Sequence, residues 1–130
     1  MILGIGTDIC DIRRIEQSLE KHGQRFKDKI FTKAEQEYCE SKARPAMSYA
    51  KRFAAKEAVA KGLATETSGA LSWTDVEVVN QPSGRPDTVL RGSAEKRLED
   101  ITPKGKRGIV HLSLSDDYPY ATAFVVVETL

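Results

Sequence analysis

Arg52-Phe53-Ala54-Ala55-Lys56-Glu57-Ala58-Val59-Ala60-Lys61 has the composition of a helix but almost no polar face. At about 100° per residue, Phe53, Ala60 and Ala64 share one arc with Glu57 and Lys61. A solvated ion pair belongs on a polar face, whereas a helix that is apolar nearly all round belongs in an interior. A carboxylate and an ammonium held in such a wall are costly unless each finds a partner or a ligand. This helix is therefore expected to be buried or half-buried, with Glu57 and Lys61 as candidates for a site. A plain i,i+4 pair, worth only tenths of a kcal/mol, is the alternative.

Outward from this segment, the helix is expected to run from about Ala46 to Leu63. Before it, Thr32 and Glu35 have capping-box spacing and start a shorter helix that stops before Pro45. Earlier still, Asp11 caps a helix marked by Ile12, Ile15 and Leu19. The chain opens on an apolar run with two glycines, Ile2 to Ile9, which reads as a buried strand carrying Asp8 near its end.

Beyond Gly69, Val76, Val78 and Val79 predict a strand, Pro82-Ser83-Gly84-Arg85-Pro86 a turn, and Thr88 to Leu90 the returning strand. Ala94, Leu98 and Ile101 predict a short helix ended by Pro103 and Gly105. Ile109 to Ser115 alternates with period two, with His111, Ser113 and Ser115 on one face and Leu112 and Leu114 on the other. A turn at residues 116–119 leads into a closing strand, Tyr120 to Glu128. The expected class is α+β, an antiparallel meander with helices packed on it.

A chain of 130 residues is expected to be a single domain, 1–130. A net charge of +1 gives no global reason for nucleic-acid binding, so an electrostatic partner must be read by a local patch. No apolar run approaches the length needed to span a bilayer. Cys10 and Cys39 lack CxxC spacing and no secretion signal is recognisable, so reduced thiols and a cytoplasmic location are expected.

Two carboxylates with waters and substrate phosphates make an ordinary magnesium site, which suits Asp8 and Glu57. Asp8 is equally readable as a turn or cap residue. Lys61, one turn beyond Glu57, suits a phosphate oxygen. Arg52 and Lys56 lie on a separate arc that either reaches a second phosphate or forms a solvated edge. The turn bearing Gly84 and Pro86 offers backbone donors and a rigid wall to a flat ligand. On the first helix Arg14, Ser18, Lys21 and Arg25 fall within about 60° of one another, which is either a basic stripe suited to an acidic partner, if Gly23 does not end the helix first, or a solvated face.

Two segments together resemble the signatures of the holo-acyl-carrier-protein synthases, a family of 4′-phosphopantetheinyl transferases. They are Gly4-Ile5-Gly6-Thr7-Asp8-Ile9 with Ile12-Arg13-Arg14-Ile15, and Lys51-Arg52-Phe53-Ala54-Ala55-Lys56-Glu57-Ala58 with Lys61. The likeness extends to the Gly84-Arg85-Pro86 turn and to His111-Leu112-Ser113-Leu114-Ser115. It implies that Asp8 and Glu57 bind magnesium, that Lys61 binds phosphate, and that His111 belongs to a coenzyme A site. It also implies that acyl carrier protein docks on the basic first helix, with Arg14 the clearest match. The active sites would then lie at the interfaces of a homotrimer. Many members carry a histidine where this chain has Asp116, so no role of that second histidine transfers.

The reaction so implied moves the phosphopantetheine arm of coenzyme A to a serine of the apo carrier protein and releases 3′,5′-ADP, a step of fatty acid biosynthesis. Glu57, Asp8 and a metal-bound water all remain open as the base. A binding module without chemistry would explain the basic stripe but not Asp8 and Glu57. A metal-dependent phosphohydrolase would use the same carboxylates.

Overall fold

The computed structural model describes residues 1–130. Strand β1 (Ile2–Asp11) is followed by helices α1 (Ile12–His22), α2 (Gln24–Ile30), α3 (Lys33–Glu40) and α4 (Pro45–Gly62). A 3₁₀ turn at Trp73–Asp75 leads to β2 (Val76–Asn80) and β3 (Pro86–Leu90), then α5 (Gly92–Ile101), β4 (Gly108–Asp117) and β5 (Tyr120–Thr129). The class is α+β and every strand pair is antiparallel. The strands do not form one meander. They make a three-stranded sheet in the order β1-β5-β4 and a separate β2-β3 hairpin, because the closing strand inserts between the opening strand and its own neighbour.

Alternation along β5 explains the main layer. Ala121, Ala123, Val125 and Val127 are buried, while Tyr120 and Phe124 face outward. On β1, Gly4, Gly6, Asp8 and Cys10 share the inner face, against which α4 lies. The helix comes unusually close there. A Cβ on Gly4 would stand 2.1 Å from the Gly62 carbonyl oxygen, and one on Gly6 only 1.9 Å from that of Ala58. The two glycines and the small row of Ala58 and Gly62 thus let backbone meet backbone.

Local signals behave as their chemistry requires. Asp11 accepts a hydrogen bond from the Arg13 amide and starts α1. Thr32 and Glu35 form the reciprocal capping box. Gly23, at φ 51°, ends α1 after one turn fewer than the basic stripe assumed. Arg25 therefore lies on the separate helix α2, which the sequence pattern did not reveal. Helix α3 stops before Pro45, as expected, and Pro45 is itself the first residue of α4, where its missing N–H costs nothing.

The charges of α4 are arranged the opposite way from the helical-wheel expectation. Arg52 and Lys56 are the buried ones, each 2 % exposed, whereas Glu57 is half-buried and Lys61 exposed. Lys56 Nζ donates to Glu35 Oε1 (2.8 Å), to the Trp73 carbonyl (3.0 Å) and to the Val76 carbonyl. Glu35 also accepts from the Val78 amide at 2.9 Å, so one buried pair ties α3, α4 and β2 together. Arg52 lies over the Tyr38 ring at 4.1 Å and donates to Asn80 Oδ1 at 2.7 Å.

Candidate active site

The close approach of β1 to α4 fixes what meets at the end of that contact. One pleat past Gly6, Asp8 faces the last turns of the helix. Lys61 Nζ reaches across to the Thr7 carbonyl at 2.8 Å and to Asp8 Oδ1 at 3.3 Å. Asp8 and Glu57 line one groove of about 310 Å³ together with Cys10, Arg14, Ser18, Phe26 and Phe53. Asp8, Glu57 and Lys61 are thus brought together, and Arg14 with Ser18 stands on the same groove.

The charges of the cluster act on one another. The Glu57 carboxylate makes no hydrogen bond with the rest of the chain. Its carboxyl is pushed above the ordinary value first by burial and then by the charge of Asp8, with Lys61 opposing. Lys61 pairs with Asp8 and opposes the shift of Glu57, and its side chain is 54 % exposed, within reach of an anion from solvent. Two carboxylates without a third acidic or imidazole ligand cannot cage a metal alone. They fit magnesium, which keeps waters and shares phosphate oxygens.

A second hollow opens on the other side of Glu57, lined by Lys56, Ala60, Ala70, Leu71, Ser72, Trp73 and Val76. Phe53 and Trp73 stack at 5.2 Å, so one aromatic from each hollow backs onto the other. Phe26, Phe53 and Trp73 were not expected at the site. Phe53 precedes Glu57 by one helical turn, and that spacing was the available signal; Phe26 sits on the unforeseen α2.

The remaining expected residues lie elsewhere. Lys21 is on the exposed side of α1, and Arg25 lines a neighbouring hollow with His22, Phe26 and Lys29. The helix break at Gly23 therefore divides the basic stripe, and Phe26 joins its two parts. Arg52 does not point into the groove; its guanidinium is buried on Tyr38 and Asn80, with Nε unpartnered. Gly84 and Pro86 lie at the tip of the β2-β3 hairpin, where Gly84 takes φ 90°.

His111 is on the outer face of the three-stranded sheet, bonded to Glu128 at 2.8 Å. Asp8 is on the inner face, so a single chain does not unite them. Asp116 forms an ion pair with Lys51 at 3.0 Å. Cys10 and Cys39 are both free and buried, and burial raises the thiol of each. No helix is long and apolar enough to cross a membrane.

The model of the 4′-phosphopantetheinyl transferase superfamily matches residues 4–123. A holo-[acyl-carrier-protein] synthase of Brucella ovis is 51 % identical over 130 residues, covering 100 % of this chain and 97 % of that protein. Among solved structures, the holo-[acyl-carrier-protein] synthase of Neisseria meningitidis superposes with a TM-score of 0.83 at 40 % identity, over 98 % of this chain and 99 % of that one. One from Bacillus anthracis, in complex with CoA (3′,5′-ADP), gives 0.76 at 34 % identity, over 98 % and 97 %.

Proposed function

The chain belongs to the 4′-phosphopantetheinyl transferase superfamily, and on that premise we propose that it transfers the 4′-phosphopantetheine arm of coenzyme A to a serine of apo acyl carrier protein. The reading takes residues 1–130 as one transferase domain, which the continuous core favours. The observation that carries it is the meeting of Asp8, Glu57 and Lys61 at one end of the α4–β1 contact.

Asp8 and Glu57 would hold magnesium, which when bound neutralises pyrophosphate charge and stabilises the leaving oxygen. Lys61, exposed, binds a phosphate oxygen of the same group. The serine Oγ attacks the phosphorus that carries the pantetheine arm. A new Oγ–P bond forms, the P–O bond to the adenylate half breaks, and 3′,5′-ADP leaves. Glu57 is placed to take the serine proton, since its carboxylate has no hydrogen-bond partner and faces the groove of Arg14 and Ser18.

The acidic carrier protein docks along Arg14 and Lys21 of α1 and Arg25 of α2. Charge reversal at Arg14 is expected to raise KM for the carrier protein about tenfold at low salt and much less at high salt. KM for coenzyme A should stay within about twofold. Equal loss toward coenzyme A would move Arg14 from docking into the chemistry.

Gly84, Pro86 and His111 are assigned to coenzyme A, and His111 can serve only a neighbouring copy, given its place on the far face of the sheet. That face exposes Ile5, Ile9, Tyr120 and Phe124, an apolar surface suited to burial against like chains in a homotrimer. Phe124→Glu is expected to reduce the native mass from a multiple of 14.4 kDa to the single-chain value, with activity falling alongside. An assembly that persists with a charge at this position would remove the face from the interface. The protein acts in the cytoplasm, in fatty acid biosynthesis. The direct test incubates an apo carrier protein with coenzyme A and magnesium. Mass spectrometry should show gain of one phosphopantetheine and 3′,5′-ADP in solution; release of free phosphate alone would favour a phosphohydrolase.

A further inference from the structure

The β2-β3 hairpin carries at its tip two of the residues assigned to coenzyme A, Gly84 and Pro86, yet two strands of five residues are marginal by themselves. Its base is secured by Lys56 at the Val76 carbonyl, Glu35 at the Val78 amide, and Thr32 and Arg91 at Glu77. Strand β3 packs on β4, but the tip has one hydrogen-bonded attachment. Among residues 79–88, Asn80 makes the single hydrogen bond to the rest of the chain, accepting at Oδ1 from Arg52 at 2.7 Å. Its other end turns inward to the hairpin, where Nδ2 donates to the Gly84 carbonyl at 3.0 Å. Gly84 is itself held by its amide on the Gln81 carbonyl at 2.7 Å, and Gln81 by Arg85 at 2.8 Å.

One amide therefore stands between the catalytic helix and the turn. Arg52 lies on α4 one turn before Lys56 and Glu57, buried and unable to move far. It makes no ion pair with a carboxylate, and its Nε has no partner, so the Asn80 oxygen is its only hydrogen-bond acceptor. An asparagine carboxamide meets both demands, offering an acceptor to a guanidinium and a donor to a carbonyl. Serine is too short to span them, and aspartate supplies only acceptors.

We infer that Asn80 is a positioning residue for coenzyme A, setting the Gly84–Pro86 turn at a fixed distance from Glu57 through Arg52. This rests on the functional reading above. Asn80 touches neither substrate nor metal; it removes the freedom that the tip would otherwise lose on binding.

The test is Asn80→Asp in the full chain. The variant keeps an oxygen toward Arg52, now as an ion pair, and sets a second oxygen against the Gly84 carbonyl in place of a donor. Its melting temperature should equal or exceed that of wild type, while the Gly84 amide exchanges faster with solvent. KM for coenzyme A should rise about tenfold, the worth of one hydrogen bond of ~1.4 kcal/mol, and kcat should stay within about twofold. A wild-type KM, unchanged exchange at Gly84, or a parallel fall of kcat and stability would overturn the role of Asn80. Absence of transfer by the wild-type chain would overturn the functional reading itself, a result separable from the behaviour of the variant.

Discussion

Glu57→Gln is expected to give a folded protein that has lost transfer by at least about 100-fold, since a ligand should matter at least as much as the groups that orient ligands. The same variant should be no less stable than metal-free wild type at pH 8. The reason lies in the direction of the Glu57 shift. Burial first, and then the Asp8 charge, hold its carboxyl above the ordinary value, so the folded chain binds that proton more tightly than the unfolded one. The stability so conferred is complete below the unfolded pKa, about 4.3, and is lost as pH rises through the folded value. Glutamine never ionises, so the advantage of the variant in EDTA should grow from pH 4.5 to pH 8 in thermal melts. Magnesium should raise the melting temperature of wild type, because it binds only the folded pair, and should do so far less for the variant. Normal transfer by Glu57→Gln, or a large loss of stability at pH 8, would refute the site.

That pattern differs from the one a helical wheel suggested. A wheel gives the relative angle of Glu57 and Lys61 correctly but cannot say which side meets the sheet. Alanines at 54, 55, 58 and 60 make α4 apolar nearly all round, and an even apolar surface has no preferred direction. Direction came from size. The Ala58–Gly62 row is the thinnest face of the helix, and Gly4 and Gly6 are the thinnest part of β1; their contact turns Arg52 and Lys56 inward and leaves Glu57 and Lys61 at the open edge. The two glycines and the small i,i+4 row are visible in the chain, but their pairing across more than fifty residues is not.

The elements themselves were legible where a local rule acts alone: Asp11 as a cap, the Thr32–Glu35 box, the period of Ile109 to Ser115. Helix α2 was not, because seven residues between Gly23 and Phe31 carry too few periodic positions. The order β1-β5-β4 was not either, since long-range pairing has no local signature. Of the site, Asp8, Glu57, Lys61 and Arg14 could be chosen from sequence and share one end of the fold. His111 could also be chosen, but alternation placed it on the outer face of the sheet, away from Asp8.

Gly6→Ala tests the contact that creates the site. The added Cβ would stand 1.9 Å from the Ala58 carbonyl oxygen and 2.8 Å from the Gly62 amide nitrogen. Both are backbone atoms, so neither can swing aside, and α4 must lift from β1. Overpacking of this kind should cost about 3 kcal/mol, the upper part of the usual range, seen as a lower urea midpoint with unchanged slope. The lift also separates Asp8 from Glu57, and a displacement near 1 Å at a reacting centre costs about 100-fold. Transfer should therefore fall by that factor at a temperature where the variant is fully folded, and magnesium should no longer raise its melting temperature. Gly69→Ala supplies the control, because a Cβ there meets nothing within 4 Å; its stability should stay within about 0.5 kcal/mol of wild type. If Gly6→Ala loses stability but keeps both the magnesium response and full transfer, the two carboxylates do not depend on this contact to act together.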